Sequence, residues 1–288
     1  MNILIIGKNS YIGNHIDQWL SNNGHHVKQL DAVSENWKQY DYSNFDTIVH
    51  VAGIVHRPNC KDWNLYKSVN TEMPISIATI AKNQGVKQYV FLSTMGVYAA
   101  CKRLKGFIID KKTPLSTDAN CYYSRSKILA EKGLSEIQDN TFNVAIVRPP
   151  SVYGKGCKGG YIKGFKSIAN ILPIIPKAYE NANQSFIYID NLCECIRLII
   201  EKGMSGVFCP QDDENPNANR LLEVICNGLE KKYRSSIFLG ICLKLISFLP
   251  IVKKAYGGIS YSRELSNTPD FNYIVVPFSE GMKITVTK

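Results

Sequence analysis

Four short apolar runs, set among stretches with helical spacing, constrain this chain more than any other feature. Asn2–Ile6 (NILII), Thr47–Val51 (TIVHV), Gln88–Leu92 (QYVFL) and Asn143–Val147 (NVAIV) carry few polar residues, so each calls for cover on both faces. Between them, residues 11–20, 65–82 and 123–137 repeat apolar side chains at helical intervals. Buried strands alternating with helices predict an α/β fold, a doubly wound parallel sheet with helices on both faces. Beyond Arg148-Pro149-Pro150 the alternation weakens, and Gly and Lys accumulate in residues 154–164 (GKGCKGGYIKG). A soft boundary follows: residues 1–153 form the sheet domain, with later segments returning to it, and 154–288 form mainly a smaller C-terminal substrate-binding lobe. With 45% hydrophobic against 20% charged residues, a chain of 288 can fill such a core, and disordered and fibrous classes are excluded.

The turn after the first run reads Gly7-Lys8-Asn9-Ser10-Tyr11-Ile12-Gly13. Gly7 has no β-carbon and allows a sharp reversal. The small Ser10 and Gly13 let a pyrophosphate approach the amides at Tyr11 and Ile12, where the helix dipole favours an anion. The turn fits a Rossmann-like dinucleotide-binding domain, with Ser10 where the middle glycine usually stands; an ordinary strand–helix turn is the alternative at this point. A second strand at residues 26–30 ends in Asp31, where a carboxylate accepts hydrogen bonds from the adenine ribose hydroxyls and repels a 2′-phosphate. Ala32 and Val33 follow rather than an arginine, so NAD(H) is favoured, with NADP(H) the alternative.

Hydride exchange with a sugar carbon needs a group that moves the hydroxyl proton in step. A tyrosine suits this if a cation lowers its phenol pKa, and a lysine four residues on lies on the same helical face. Tyr123 and Lys127 have that spacing on a helical pattern; Tyr98 and Lys102 have it too, but in a segment that reads as a loop. At the carboxyl end of QYVFL stand Ser93 and Thr94, where a hydroxyl can reach the reacting sugar oxygen. Thr94 is the better placed of the two.

With these pieces in order, the chain resembles the extended short-chain dehydrogenase/reductases, within them the nucleotide-sugar epimerase/dehydratase branch, and more narrowly enzymes of bacterial capsule and surface-polysaccharide synthesis. The resemblance rests on GKNSYIG, Asp31, DTIVHVAG (46–53), Asn70 in YKSVN, FLSTMGVY, YYSRSK, RPPSVYG (148–154) and YIDNL (188–192). It implies that Tyr123 is the acid/base, Lys127 its partner and Thr94 the sugar-oxygen donor. It further implies that Gly7, Ser10, Gly13 and Asp31 hold the cofactor, with Ala52 and Gly53 beside it, Pro149 near the nicotinamide and Asn70 structural or cofactor-side. Ser93, Gln184 and Arg263 fall to the substrate, a UDP-sugar. Two departures matter. Met95 and Gly96 replace the acid-base pair of the dehydratases, which excludes dehydration. Gln184 stands where an arginine commonly meets the phosphates, shifting that task towards Lys155, Lys158, Lys163 or Arg263.

The remaining chemistry is hydride transfer at sugar carbon 4, as a 4-keto reductase, slightly favoured, or as a 4-epimerase; a non-catalytic dinucleotide-binding scaffold is the reading from another class. The net charge of +10 suits a diphosphate substrate, and no basic stripe interleaved with aromatics supports nucleic-acid binding. Nine scattered Cys and five His without ligand spacing predict reduced thiols, a cytoplasmic location and no metal. A homodimer is compatible with the pattern. One apolar run, residues 237–252 (IFLGICLKLISFLPIV), is too short and too interrupted to span a bilayer. A buried helix is expected there, ahead of a subunit contact or peripheral membrane attachment.

Overall fold

The computed structural model describes residues 1–33, 36–55, 62–157, 159–268 and 271–287; His56, Cys60 and Lys158 lie outside them. Its centre is a sheet of six parallel strands: β1 (Asn2–Ile6), β2 (His26–Leu30), β3 (Thr47–His50), β4 (Gln88–Leu92), β5 (Asn143–Val147) and β6 (Gly206–Phe208), in the order β6-β5-β4-β3-β1-β2. The chain leaves β1 for β2 on one side and returns to β3 on the other. That reversal opens a crevice above the carboxyl ends of β1 and β3, where open parallel sheets take their ligands.

The period of two in the apolar runs decides which helices cover which face. Ile3 and Ile5 of β1 pack against Ile16 and Leu20 of α1 (Tyr11–Asn22) together with Leu192, Ile196 and Ile199 further on. Leu4 and Ile6 face the opposite layer, meeting Ile77, Ala78, Ala130 and Leu134. That layer holds α2 (Trp63–Lys67), a π-helical turn at Ser68–Glu72, α3 (Met73–Asn83) and α4 (Tyr122–Ile137). At ~1.5–3 kcal/mol for each fully buried aliphatic side chain, these contacts dominate the fold.

Helix α5 (Gly160–Ile171) comes next, with Phe165 and Ala169 in the same core as β1. The chain then returns: α6 (Ile189–Glu201) lies beside α1, burying Cys193 and Cys195, and β6 extends the sheet past β5. Helix α7 (Ala218–Gly228) packs against α5 and the C-terminal helix Phe278–Val286.

The apolar run at 237–252 departs from expectation. It is no buried helix: it divides into α8 (Ile237–Leu245) and α9 (Pro250–Tyr256), and most of its large side chains face solvent. Among the described residues no helix is long and apolar enough to cross a membrane.

Candidate active site

The turn after β1 has the geometry its sequence requires. Gly7 has φ +129°, and a β-carbon there would come within 2.7 Å of Val51 Cγ2 and 3.0 Å of the Ala52 nitrogen. Ser10 caps α1, its hydroxyl accepting the Gly13 N–H at 3.0 Å. The amides of Tyr11 and Ile12, which no residue of the helix itself can satisfy, remain for an anion. The turn therefore fits a pyrophosphate. Asp31 follows β2 directly, and its carboxylate accepts the Val33 N–H at 2.9 Å. The Tyr11 phenol is buried against Gly154, and its ring lies 4.4 Å from that of His15; burial raises its pKa.

Across the crevice, the loop after β3 is fixed by Asn70. The π-helical turn, a feature common at functional sites, carries this side chain. Its Oδ1 accepts the Ile54 N–H at 2.8 Å, while Nδ2 donates to the Ile54 carbonyl at 2.9 Å and to Ser126 Oγ at 3.1 Å. Asn70 thus acts on the backbone beside Gly53. A β-carbon on Gly53 would lie 3.0 Å from Asn70 Oδ1 and 3.4 Å from Lys127 Nζ, so glycine allows the ammonium its close approach.

Tyr123, Lys127, Thr94, Ser93, Gly53, Ile12, Pro149 and the apolar walls Val51 and Val152 line one cleft of about 170 Å³. Tyr123 and Lys127 share a face of α4, and Thr94 ends the strand beside them. Burial raises the Tyr123 pKa, while a hydrogen bond with the Thr94 side chain lowers it. Lys127 Nζ donates to the Leu92 carbonyl at 2.8 Å and lies 4.4 Å from the centre of the Phe91 ring. Burial pulls its pKa down to about 8, and the Glu131 carboxylate one turn later pulls the other way. The ammonium therefore faces a backbone carbonyl rather than the phenol, whose pKa is set by burial and Thr94.

Ser93 lines the cleft with its hydroxyl already engaged, and the other sequence-predicted residues lie elsewhere. Ser93 commits its hydroxyl to Glu131. Gln184 is buried, with no partner for Oε1 among the described residues. Arg263 donates to the carbonyls of Asp212 at 2.6 Å and Asp213 at 2.5 Å and lines a separate cavity of about 430 Å³. Lys163 and Lys155 line two further depressions. Tyr98 and Lys102 do not meet: the phenol bonds Arg148 Nη1 at 2.8 Å, whereas the ammonium lies 3.8 Å from the Tyr161 ring centre. Met95 is buried and Gly96 has no side chain, so no proton-carrying group follows Thr94.

Behind the cleft stands a group that spacing does not reveal. Glu131, itself buried, accepts from Arg148 Nε at 3.0 Å and Nη2 at 2.5 Å as well as from Ser93. Its only sequence signal is the position four residues after Lys127.

The chain is 27% identical to UDP-glucose 4-epimerase from Vibrio cholerae over 65% of its length, and the match spans 58% of that protein, less than two thirds. It is 24% identical to N-acetyl-alpha-D-glucosaminyl-diphospho-ditrans,octacis-undecaprenol 4-epimerase from Escherichia coli O157:H7, covering 93% of this chain and 86% of the other. The crystal structure of UDP-glucuronic acid 4-epimerase from Bacillus cereus in complex with NAD superposes with a TM-score of 0.67 at 18% identity, covering 99% and 97% of the two chains, a likeness of fold. Because the family model matches residues 3–208, from the first strand of the sheet through the last, the chain belongs to the NAD dependent epimerase/dehydratase family.

Proposed function

We propose that the chain catalyses reversible hydride transfer at carbon 4 of a sugar carried on a diphosphate, a UDP-sugar in the first instance, and that it runs as a 4-epimerase. The observation that carries the reading is the convergence of Tyr123, Thr94 and Lys127 on one cleft beside the Gly7 turn and Gly53. Tyr123 takes the proton of the carbon-4 hydroxyl and later returns it. Thr94, hydrogen-bonded with Tyr123, holds the same sugar oxygen. Lys127, held in the same cleft by the Leu92 carbonyl, adds a positive charge that favours the deprotonated phenol able to take that proton. Bound NAD supplies the hydride acceptor and donor. The first helical amides and Asp31 would hold its pyrophosphate and adenine ribose; NAD over NADP follows from the carboxylate at Asp31. Val51, Val152 and Pro149 narrow the cleft and exclude water from the intermediate ketosugar.

Two named relatives at sequence level are 4-epimerases, which favours epimerisation over reduction of a preformed 4-ketosugar. Incubation with UDP-glucose or UDP-N-acetylglucosamine and catalytic NAD tests this. Interconversion of 4-epimers without net NADH loss is expected, and stoichiometric NADH consumption confined to a 4-ketosugar would overturn it. Tyr123→Phe is expected to lower turnover ~10²–10⁴-fold with NAD affinity retained by calorimetry. Unchanged turnover would remove Tyr123 from the reaction.

A further inference from the structure

Helix α8 packs in reverse of the usual amphipathic pattern. Its one buried residue is Gly240, where a β-carbon would lie 1.9 Å from the Lys177 carbonyl oxygen, so the smallest side chain forms the contact with the lobe. Apart from Leu243, which packs on the core, the large side chains point away: Phe238 is 72% exposed, Leu245 75% and, in the link to α9, Phe248 78%. Strand pairing carries this surface onto a neighbouring loop. Ser235 and Ser236 pair in parallel with Ile175 and Pro176, and Ile171, itself 75% exposed, and Leu172 lie beside Lys231, Lys232 and Arg234 just before α8. An apolar surface of this kind on a water-soluble body needs a partner.

Charge selects the partner. From residue 231 to residue 263 the chain has no Asp or Glu, and the same holds from 155 to 179. Lys231, Lys232, Arg234, Lys244, Lys253 and Lys254 all stand exposed around the apolar side chains. A second copy of this face would set like charges against like. The two helices are far shorter than a bilayer and are separated by a turn before Pro250, so they cannot span one. We propose that α8, the 246–249 link, α9 and the 171–174 loop form a monotopic docking face for an anionic phospholipid bilayer. Phe238, Leu245 and Phe248 enter the acyl boundary, and the lysines remain among the headgroups.

Vesicle co-sedimentation tests this on the full chain. Binding to phosphatidylcholine vesicles containing phosphatidylglycerol is expected, with little to phosphatidylcholine alone, and it should weaken as salt rises. Each Lys→Gln at 244, 253 or 254 should weaken it about fivefold. Phe238→Ser/Leu245→Ser/Phe248→Ser should abolish it while melting temperature and turnover of a soluble substrate stay unchanged. In Phe238→Trp, vesicles should shift the indole emission to the blue. Absence of sedimentation with phosphatidylglycerol vesicles would overturn the proposal. So would a solution dimer, seen by analytical ultracentrifugation, that the triple serine variant dissociates.

Discussion

Replacing Glu131 by Gln perturbs stability and chemistry through one atom pair. The carboxylate is 4% exposed and grips Arg148, 8% exposed, through two parallel hydrogen bonds. Glu131→Gln keeps the shape but leaves the guanidinium with the Tyr98 phenol, 2.8 Å from Nη1, as its other polar partner. Breaking a buried pair from one side costs ~3–5 kcal/mol, because a charge stays behind uncompensated. At ~2.1 cal/mol/K of unfolding entropy per residue, 288 residues give about 0.6 kcal/mol/K, so the melting temperature should fall by ~5–8 °C. Glu131→Leu combined with Arg148→Met, which removes both charges, should recover much of that loss. The second readout is functional. Glu131 opposes the burial that pulls Lys127 down to about 8, so its neutralisation lets that pKa fall further. If the ammonium form is the active one, the alkaline limb of kcat/KM moves to lower pH. Calorimetry and a pH–rate profile measure the two effects. A melting shift below ~2 °C, or a limb that stays or moves upward, would refute the assignment of Glu131 as the support of Lys127.

Two further outcomes follow from the same site. In the unaltered protein Lys127 is charged below its pKa of about 8, so turnover should decline as pH rises through that value; Lys127→Arg, charged to far higher pH, should keep a reduced rate and lose the decline. Ser10→Gly should cost only a few tenths of a kcal/mol in helix capping while freeing the Gly13 N–H from the Ser10 hydroxyl. NAD affinity by titration calorimetry should then rise, by about fivefold for one added hydrogen bond of ~1 kcal/mol, and a fall in affinity would mean that the hydroxyl itself serves the anion.

The parts of the molecule legible in the sequence are those whose geometry is local. NILII, TIVHV, QYVFL and NVAIV are two-sided strands because each is sandwiched between helices, and Ile3 against Leu4 shows the alternation residue by residue. Tyr123 and Lys127 are one helical turn apart, and Thr94 follows a strand, so their positions needed only secondary structure. Gln184 and Arg263 needed the path of the chain beyond residue 154. Arg263 is turned to the carbonyls of Asp212 and Asp213 by contacts about 50 residues away in sequence. Glu131 on α4 and Arg148 just past β5 are 17 residues apart, and no period joins them.

The misread segment at 237–252 shows why hydrophobicity alone does not locate a helix. Burial is expected of an apolar helix because water is the default alternative, and on that argument IFLGICLKL belongs in a core. Packing, however, is decided by which face fits. Gly240 of α8 meets the backbone around Lys177, where a β-carbon would clash, and that contact leaves Phe238, Ile241 and Leu245 turned outward. The helix is held by its glycine contact, by Leu243 against the core and by the pairing of Ser235 and Ser236. The cations around it and the missing carboxylates cannot be explained by packing, since exposed lysines contribute little to a fold. Both features are accounted for together if the default alternative at this face is an anionic bilayer instead of water.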